Sequence, residues 1–384
     1  MARLGDICIQ ITDGSHNPPM GVEQSNYLML SSKNIDDDYI TLNDPRYLSQ
    51  EDFEAENRRT NIKPNDLLIT IVGTIGRVAI VPNSLTEFCV QRSVAVLKPK
   101  PEIVYNRFLM HYLQSMRPYL EQESRGVAQK GIYLKQLSNL SIILPPLDEQ
   151  RKIAAVLDKV SDLIAKRRQQ LDKLDEMVKS RFIEMFGVYP ANPMGWEIGT
   201  IRDIVTEVRY GSSRPAVDGG KYPYLRMNNI TYGGELDLSD TKRIDIPDNE
   251  LDKCTVRRGD VLFNRTNSKE LVGKTCVYDR DEMMVLAGFV IRIRVKDCIL
   301  PEFLSAFLNT DFSKQMLLGM CKTAIGQANI NAQELQNIGL YLPPVELQRR
   351  FIQFKKETDK SKYRQEKCIG FFQCLEKNIR QEWL

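Results

Sequence analysis

The chain has 384 residues, 42% of them hydrophobic and 27% charged, and a net charge of only +3. That length exceeds one ordinary core and calls for two to three domains. The near-neutral balance excludes a global positive field that would draw in nucleic acid, so any such surface must be local.

Read in chain order, the first ten residues lack the basic-then-apolar layout of a secretory signal and contain Asp6. No apolar run approaches the ~20 residues that cross a bilayer. The eight cysteines, at 8, 89, 254, 276, 298, 321, 368 and 374, include no C-x-x-C pair, and there are only two histidines, His16 and His111. This suits neither a zinc site nor a disulfide framework. The expectation is a cytoplasmic protein with reduced thiols, no metal and no membrane contact.

The order of features then repeats. Leu4-Gly5-Asp6-Ile7 returns as Ile201-Arg202-Asp203-Ile204, and Asp13-Gly14-Ser15 as Tyr210-Gly211-Ser212. Ser31 to Ile35 corresponds to Arg226 to Ile230, and Lys63 to Leu68 to Arg257 to Leu262. Gly126 to Ile132 corresponds to Ala324 to Ile330, and Leu137 to Leu140 to Leu335 to Ile338. The last pair is Leu144 to Arg151, LPPLDEQR, and Leu342 to Arg349, LPPVELQR, 198 residues apart. A period this long means two whole domains, not a solenoid. The β-branched runs Leu67 to Val72 and Val290 to Val295 predict strands. Helices are expected around 106–121 and 301–318.

Each double proline ends a globule, since it cannot extend a ladder or sit inside a helix. Asp148 or Glu346 then opens a helix at its dipole-favoured end. Ile153, Leu157, Val160, Ile164, Arg167, Leu171, Leu174, Val178, Arg181 and Met185 step by four and three, a heptad seam that stops at Gly187. The second copy steps through Phe351, Phe354, Thr358, Ser361, Gln365, Cys368, Phe372, Leu375 and Ile379, with a more polar middle. Each helix of this length reaches roughly 60 Å, and neither can bury its seam alone. The expected fold is therefore α+β: two duplicated mixed α/β globules separated by two long antiparallel coiled-coil helices. Boundaries fall at 1–146, 147–187, 188–344 and 345–384.

This layout resembles the specificity subunits of type I restriction–modification systems. The motifs that carry the resemblance are LPPLDEQRKI (Leu144 to Ile153), LPPVELQRR (Leu342 to Arg350) and LDEMVKSRFIEMFG (Leu174 to Gly187). The openings RLGDI (Arg3 to Ile7) and NPMGWEIGTIRDI (Asn192 to Ile204) add to it. The resemblance implies that the globules are target recognition domains, each reading one half of an interrupted site in double-stranded DNA. It also implies that the helices dock two modification (methyltransferase) subunits, which restriction subunits then join. S-adenosylmethionine is expected on the modification subunit and no cofactor in this chain.

Base reading in the major groove uses Arg, Lys, Asn and Gln on loops. In the first globule the candidates are Ser32, Lys33, Asn34, Arg77, Arg92, Gln129 and Lys130. In the second they are Arg209, Ser212, Arg214, Arg226, Asn228, Asn229, Arg265, Asn267, Lys274, Gln327 and Asn329. Arginines and amides suit base edges, and lysines suit phosphates.

Two apparent catalytic or nucleotide-binding motifs fail on chemistry, and a third glycine-rich turn has a plainer reading. Asn17-Pro18-Pro19-Met20 lacks the aromatic that an amino-methyltransferase stacks on a flipped base. Gly273-Lys274-Thr275 has Ser268 where a phosphate loop needs glycine. Gly73 to Arg77 reads as a tight connection between strands. The chain is accordingly expected to be non-catalytic, and the alternative is a protein-binding scaffold of two globules on a helical spacer.

Overall fold

The computed structural model describes residues 1–124, 131–324 and 327–383, without the side chains of 322–327. Contacts divide it into two compact units, residues 1–168 with 366–384, and residues 169–365.

Both units are built to one plan. Unit one holds a four-stranded sheet in the order Cys8–Asp13, Val94–Pro99, Leu67–Thr70, Val78–Ile80. Unit two repeats it as Val205–Tyr210, Val290–Val295, Val261–Asn264, Thr275–Val277. Strand pairing within each is antiparallel. Leu67–Thr70 and Val261–Asn264, flanked on both sides, are buried throughout, which is why they read as near-continuous apolar runs. A second, smaller sheet packs on one face in each unit, and helices cover the other.

The two helices expected near 106–121 and 301–318 are each broken in two. The first is Asn106–Ser115 then Arg117–Glu123, where Pro118 cannot donate to the preceding turn and restarts the helix. The second is Pro301–Leu308 then Asp311–Met320, where the Thr310 hydroxyl accepts from Ser313 N and caps a new start.

The long helices run from Leu147–Phe186 and Val345–Trp383. Gly187, at φ +82°, closes the first with its N–H on Ile183 O. In unit two, Phe182 and Phe186 pack against Phe351, Arg181 lies 5.7 Å from the Phe354 ring, and Asp175 pairs with Lys362 at 2.5 Å. Residue numbers fall along the first helix as they rise along the second, so the segments pair antiparallel. In unit one, Ile153, Leu157, Val160 and Ile164 are buried in a core that includes Ile369, Phe372 and Ile379. Leu171, Leu174 and Val178 are half-buried. Leu375 departs from the expected seam and is exposed. Glu376 turns inward instead, pairing with Arg380 at 2.7 Å, while Arg380 donates to His111 O at 2.6 Å.

The repeated motif around the double proline has a structural reason. Gln150 and Gln348 are fully buried. Gln150 accepts from Tyr105 N at 2.8 Å and donates to Ile103 O and Pro145 O at 3.1 and 2.8 Å. Gln348 does the same with Leu300 N, Cys298 O and Pro343 O at 2.8, 3.2 and 2.8 Å. One side chain thus satisfies three backbone groups where each globule meets its helix.

Candidate nucleic-acid interface

In each unit a glycine turn ends the first long strand. A Cβ on Gly14 would lie 1.9 Å from Val90 O, and one on Gly211 2.2 Å from Leu286 O, so only glycine lets the chain pass. The following Ser15 and Ser212 are buried and donate backbone N–H to those carbonyls at 2.8 and 2.7 Å. Next to each turn, a one-turn helix presents Ser32-Lys33-Asn34 in unit one and Met227-Asn228-Asn229 in unit two.

These short helices separate scaffold from surface. Asn34 and Asn229 are buried, and their carboxamide oxygens accept from Ser31 N and Arg226 N at 3.0 and 2.9 Å. Their NH2 groups donate to Thr41 O and Asn43 O, and to Asp237 O and Asp240 O. Both amides therefore hold the loop and are not free to meet a base. Lys33 and Asn228, one residue earlier in each, are exposed. Lys33 pairs with Asp44 at 2.5 Å, and Asn228 has no side-chain partner among the described residues.

Around the unit-one loop, Ser32 N donates to Ser93 Oγ at 3.1 Å and Ser32 O accepts from Thr74 at 3.4 Å. That gathers Ser32, the Gly73 to Arg77 connection and exposed Arg92 at one end of the sheet. Arg77 lies 3.5 Å from Asp36, and Arg117 lies 2.5 Å from Asp37. Asp13 is held by Arg59 and His16 at 2.6 and 2.7 Å. Gln129 and Lys130 lie outside the described residues.

Unit two gathers a different set at the equivalent end. The Arg265 guanidinium sits 4.9 Å from the centre of the half-exposed Tyr210 ring and donates to Asn329 Oδ1 at 2.9 Å. Asn329 belongs to a hairpin of Lys322–Ala324 and Gln327–Asn329, and Thr266–Asn267 pairs with it as a third strand. Arg265, Asn267 and Asn329 are thus brought together, beside exposed Phe289, whose carbonyl accepts from Arg265 N at 3.0 Å. The Gln327 backbone lies on that hairpin, and its side chain is outside the described set. Arg265 Nε is buried and has no partner among the described residues. The Tyr210 ring and the bond to Asn329 hold the planar guanidinium in one orientation.

The other candidates are spread out. Arg209 pairs with Glu207 at 3.1 Å. Burial opposes the Glu207 charge, but Arg292, Arg294 and Arg209 hold its carboxyl below the usual carboxylate range. Arg214 makes a two-toothed pair with Glu250 at 2.8 and 3.1 Å, on the helix Asp248–Cys254. Arg226 binds Asp240 at 2.9 Å. Lys274 is buried, donates to Met227 O at 3.0 Å, and burial pushes its pKa down.

Composition-based reading of polar loops missed Tyr210, Phe289, Lys314, Arg59 and Arg117. Tyr210 lies 55 positions before the Arg265 whose guanidinium it faces, so no local pattern in the sequence marks the pair. Arg59 and Arg117 lie on helices, where loop reasoning does not look. Among the described residues, no group of three or more His, Cys, Asp or Glu is placed to hold a metal, and no helix is long and apolar enough to cross a membrane.

Against known proteins, the family model "Type I restriction modification DNA specificity domain" matches twice, at residues 24–175 and 193–367. The EcoKI type I restriction enzyme specificity subunit of Escherichia coli K12 is 24% identical over 67% of this chain and 59% of its own length. The MjaVIII specificity subunit of Methanocaldococcus jannaschii is 24% identical over 79% of this chain and 74% of its own. The putative MjaX specificity subunit of the same organism is 34% identical over 44% of this chain and 40% of its own. Two solved structures share the fold over 99% of this chain. One comes from work on complex assembly and conformational transition of a type I restriction–modification system (TM-score 0.59, 18% identity, 96% of that chain). The other is the S subunit of such a system from M. genitalium (TM-score 0.52, 14% identity, 94% of that chain).

Proposed function

The chain belongs to the type I restriction–modification DNA specificity family, and from that premise we propose that it reads an interrupted, asymmetric site in double-stranded DNA, one half-site per globule. One observation carries the reading. The two units keep the same scaffold down to Gln150/Gln348 and Asn34/Asn229, yet place different side chains at the same end of the same sheet. A common fold with two dissimilar polar surfaces is what two different half-sites demand.

In this reading the chain makes no chemical step. Two modification subunits carry S-adenosylmethionine and transfer the methyl group, and restriction subunits add cleavage. Arg265, Asn267, Asn329 and Asn228 meet base edges or water that bridges to them, and Lys33 and Arg92 meet the first half-site. The long helices set the separation of the half-sites.

Expressing the chain with its modification subunit in a methylation-free host, and mapping modified bases across the genome, tests this directly. One interrupted motif is expected, and exchanging one globule for that of a relative changes one half of it alone. A stable complex that methylates no motif would refute the proposal.

A further inference from the structure

The two repeats place a pair of cations at the same two positions, and only one repeat supplies them with carboxylates. Strand register fixes the first position: Thr70 N donates to Arg77 O at 2.9 Å, and Asn264 N to Lys274 O at 2.8 Å. The second is fixed by a shared acceptor. Arg117 donates to Gly76 O at 3.1 and 3.2 Å, and Lys314 donates to the equivalent Gly273 O at 3.1 Å.

In unit one Arg77 faces Asp36 and Arg117 faces Asp37. In unit two the turn after the one-turn helix reads Thr231-Tyr232-Gly233-Gly234, with no carboxylate before Glu235, and Glu235 lies on Lys362. Lys314 instead sits 5.0 Å over the exposed Tyr232 ring, and Lys274 donates to Met227 O. Among the described residues neither lysine has a carboxylate partner.

The pairing of Val261–Asn264 with Thr275–Val277 continues to put Asn264 directly across from Lys274, on the face shared by Leu262 and Cys276. Asn264 is fully buried, and among the described residues neither its carboxamide oxygen nor its NH2 has a hydrogen-bond partner, so it gives Lys274 no acceptor. Two ammonium groups held at the same strand end, one on Gly273 O and one rising from the next residue to Met227 O, are costly without a counter-charge unless an anion joins them. Burial and the neighbouring Lys274 push Lys314 down to about 8, the direction expected of cations held together without an acid.

We propose that Lys274 and Lys314 form a phosphate-oxyanion site in the second globule, occupied by a backbone phosphodiester of the DNA half-site it reads. This rests on the DNA-reading function proposed above. Unit one neutralises the equivalent cations internally through Asp36 and Asp37, so the site exists in one repeat only. A phosphate contact positions the duplex and carries no sequence information.

The test transplants the unit-one solution into unit two. T231D/Y232D in the full chain supplies two carboxylates beside the lysines, and K314M is a second variant that removes one cation. Affinity for a duplex of the mapped sequence is measured against salt. Loss of one phosphate contact is expected to make the log–log slope shallower by about 0.9 in both variants, with the methylated motif unchanged. Wild-type binding with an unaltered slope in both variants overturns the site while leaving the DNA-reading proposal intact. Should wild type bind no DNA, that proposal fails and inorganic phosphate becomes the probe. A rise in Tm over chloride at equal ionic strength that T231D/Y232D loses then upholds an oxyanion site for free phosphate, and equal rises in both proteins overturn it.

Discussion

Units one and two agree where the chain must fold and disagree where it must meet something else. The agreement is at the level of single hydrogen bonds. Gln150 and Gln348 join the same three backbone positions with nearly the same distances, and Gly14 and Gly211 slip under the same carbonyl. The disagreement begins one residue away. Asp13, locked by Arg59 and His16, occupies the position of Tyr210, which stacks on Arg265. Duplication therefore kept the groups whose loss leaves buried polar atoms unsatisfied, and freed those that face solvent.

The largest effect should come from breaking the shared part. Gln150→Leu or Gln348→Leu leaves a buried N–H and two carbonyls without their partner. That should cost on the order of 3 kcal/mol in either unit. Urea unfolding should show the two losses to be alike in size. A change below about 1 kcal/mol in one unit alone would mean that the matching geometry does not carry matching energy.

How much of this was legible beforehand follows from the same division. The duplication, the strands and the long helices could be read because burial imposes periodicity and composition on a sequence. Val290 to Val295 is an example, found as a strand at the predicted bounds. The role of the motif glutamine was hidden, since its three partners come from segments about 45 residues away and from its own proline turn. Asn34 and Asn229 looked like base readers because an amide that caps a loop and one that reads adenine are the same residue type. Arg265 was singled out for its charge, but Tyr210, which orients it, lies 55 positions earlier and becomes its neighbour only through the sheet. Leu375 fitted a heptad on paper and lost its place to the Glu376–Arg380 pair, because an ion pair anchored on His111 O competes with a leucine for the same helix face.

A smaller effect should sharpen the difference between the units. Arg265→Ala removes the oriented fork, and the motif should relax at one position in the second half only. Loss of a bidentate arginine contact costs about 1–3 kcal/mol of discrimination. Because Arg265 also holds Asn329, Asn329→Ala serves as the control for hairpin positioning. If both variants loosen several positions in both halves, Arg265 supports the fold and does not read.

The smallest effect concerns Lys33 and Asn228, equivalent exposed residues on equivalent one-turn helices. Lys33 pairs with Asp44, which its hydrogen bond and charge hold below the usual carboxylate range. An ion pair this exposed contributes little to folding, so Lys33→Ala should leave the unfolding midpoint unchanged. Its effect should appear in DNA binding, where a lysine that exchanges Asp44 for a phosphate adds about 0.9 to the salt slope. Asn228→Ala should leave that slope untouched, since an amide releases no counterion, and should instead relax one base position of the second half-site. A slope unchanged by Lys33→Ala would place Lys33 outside the DNA surface. The two short helices would then differ in whether they touch the duplex, and no longer only in what they touch.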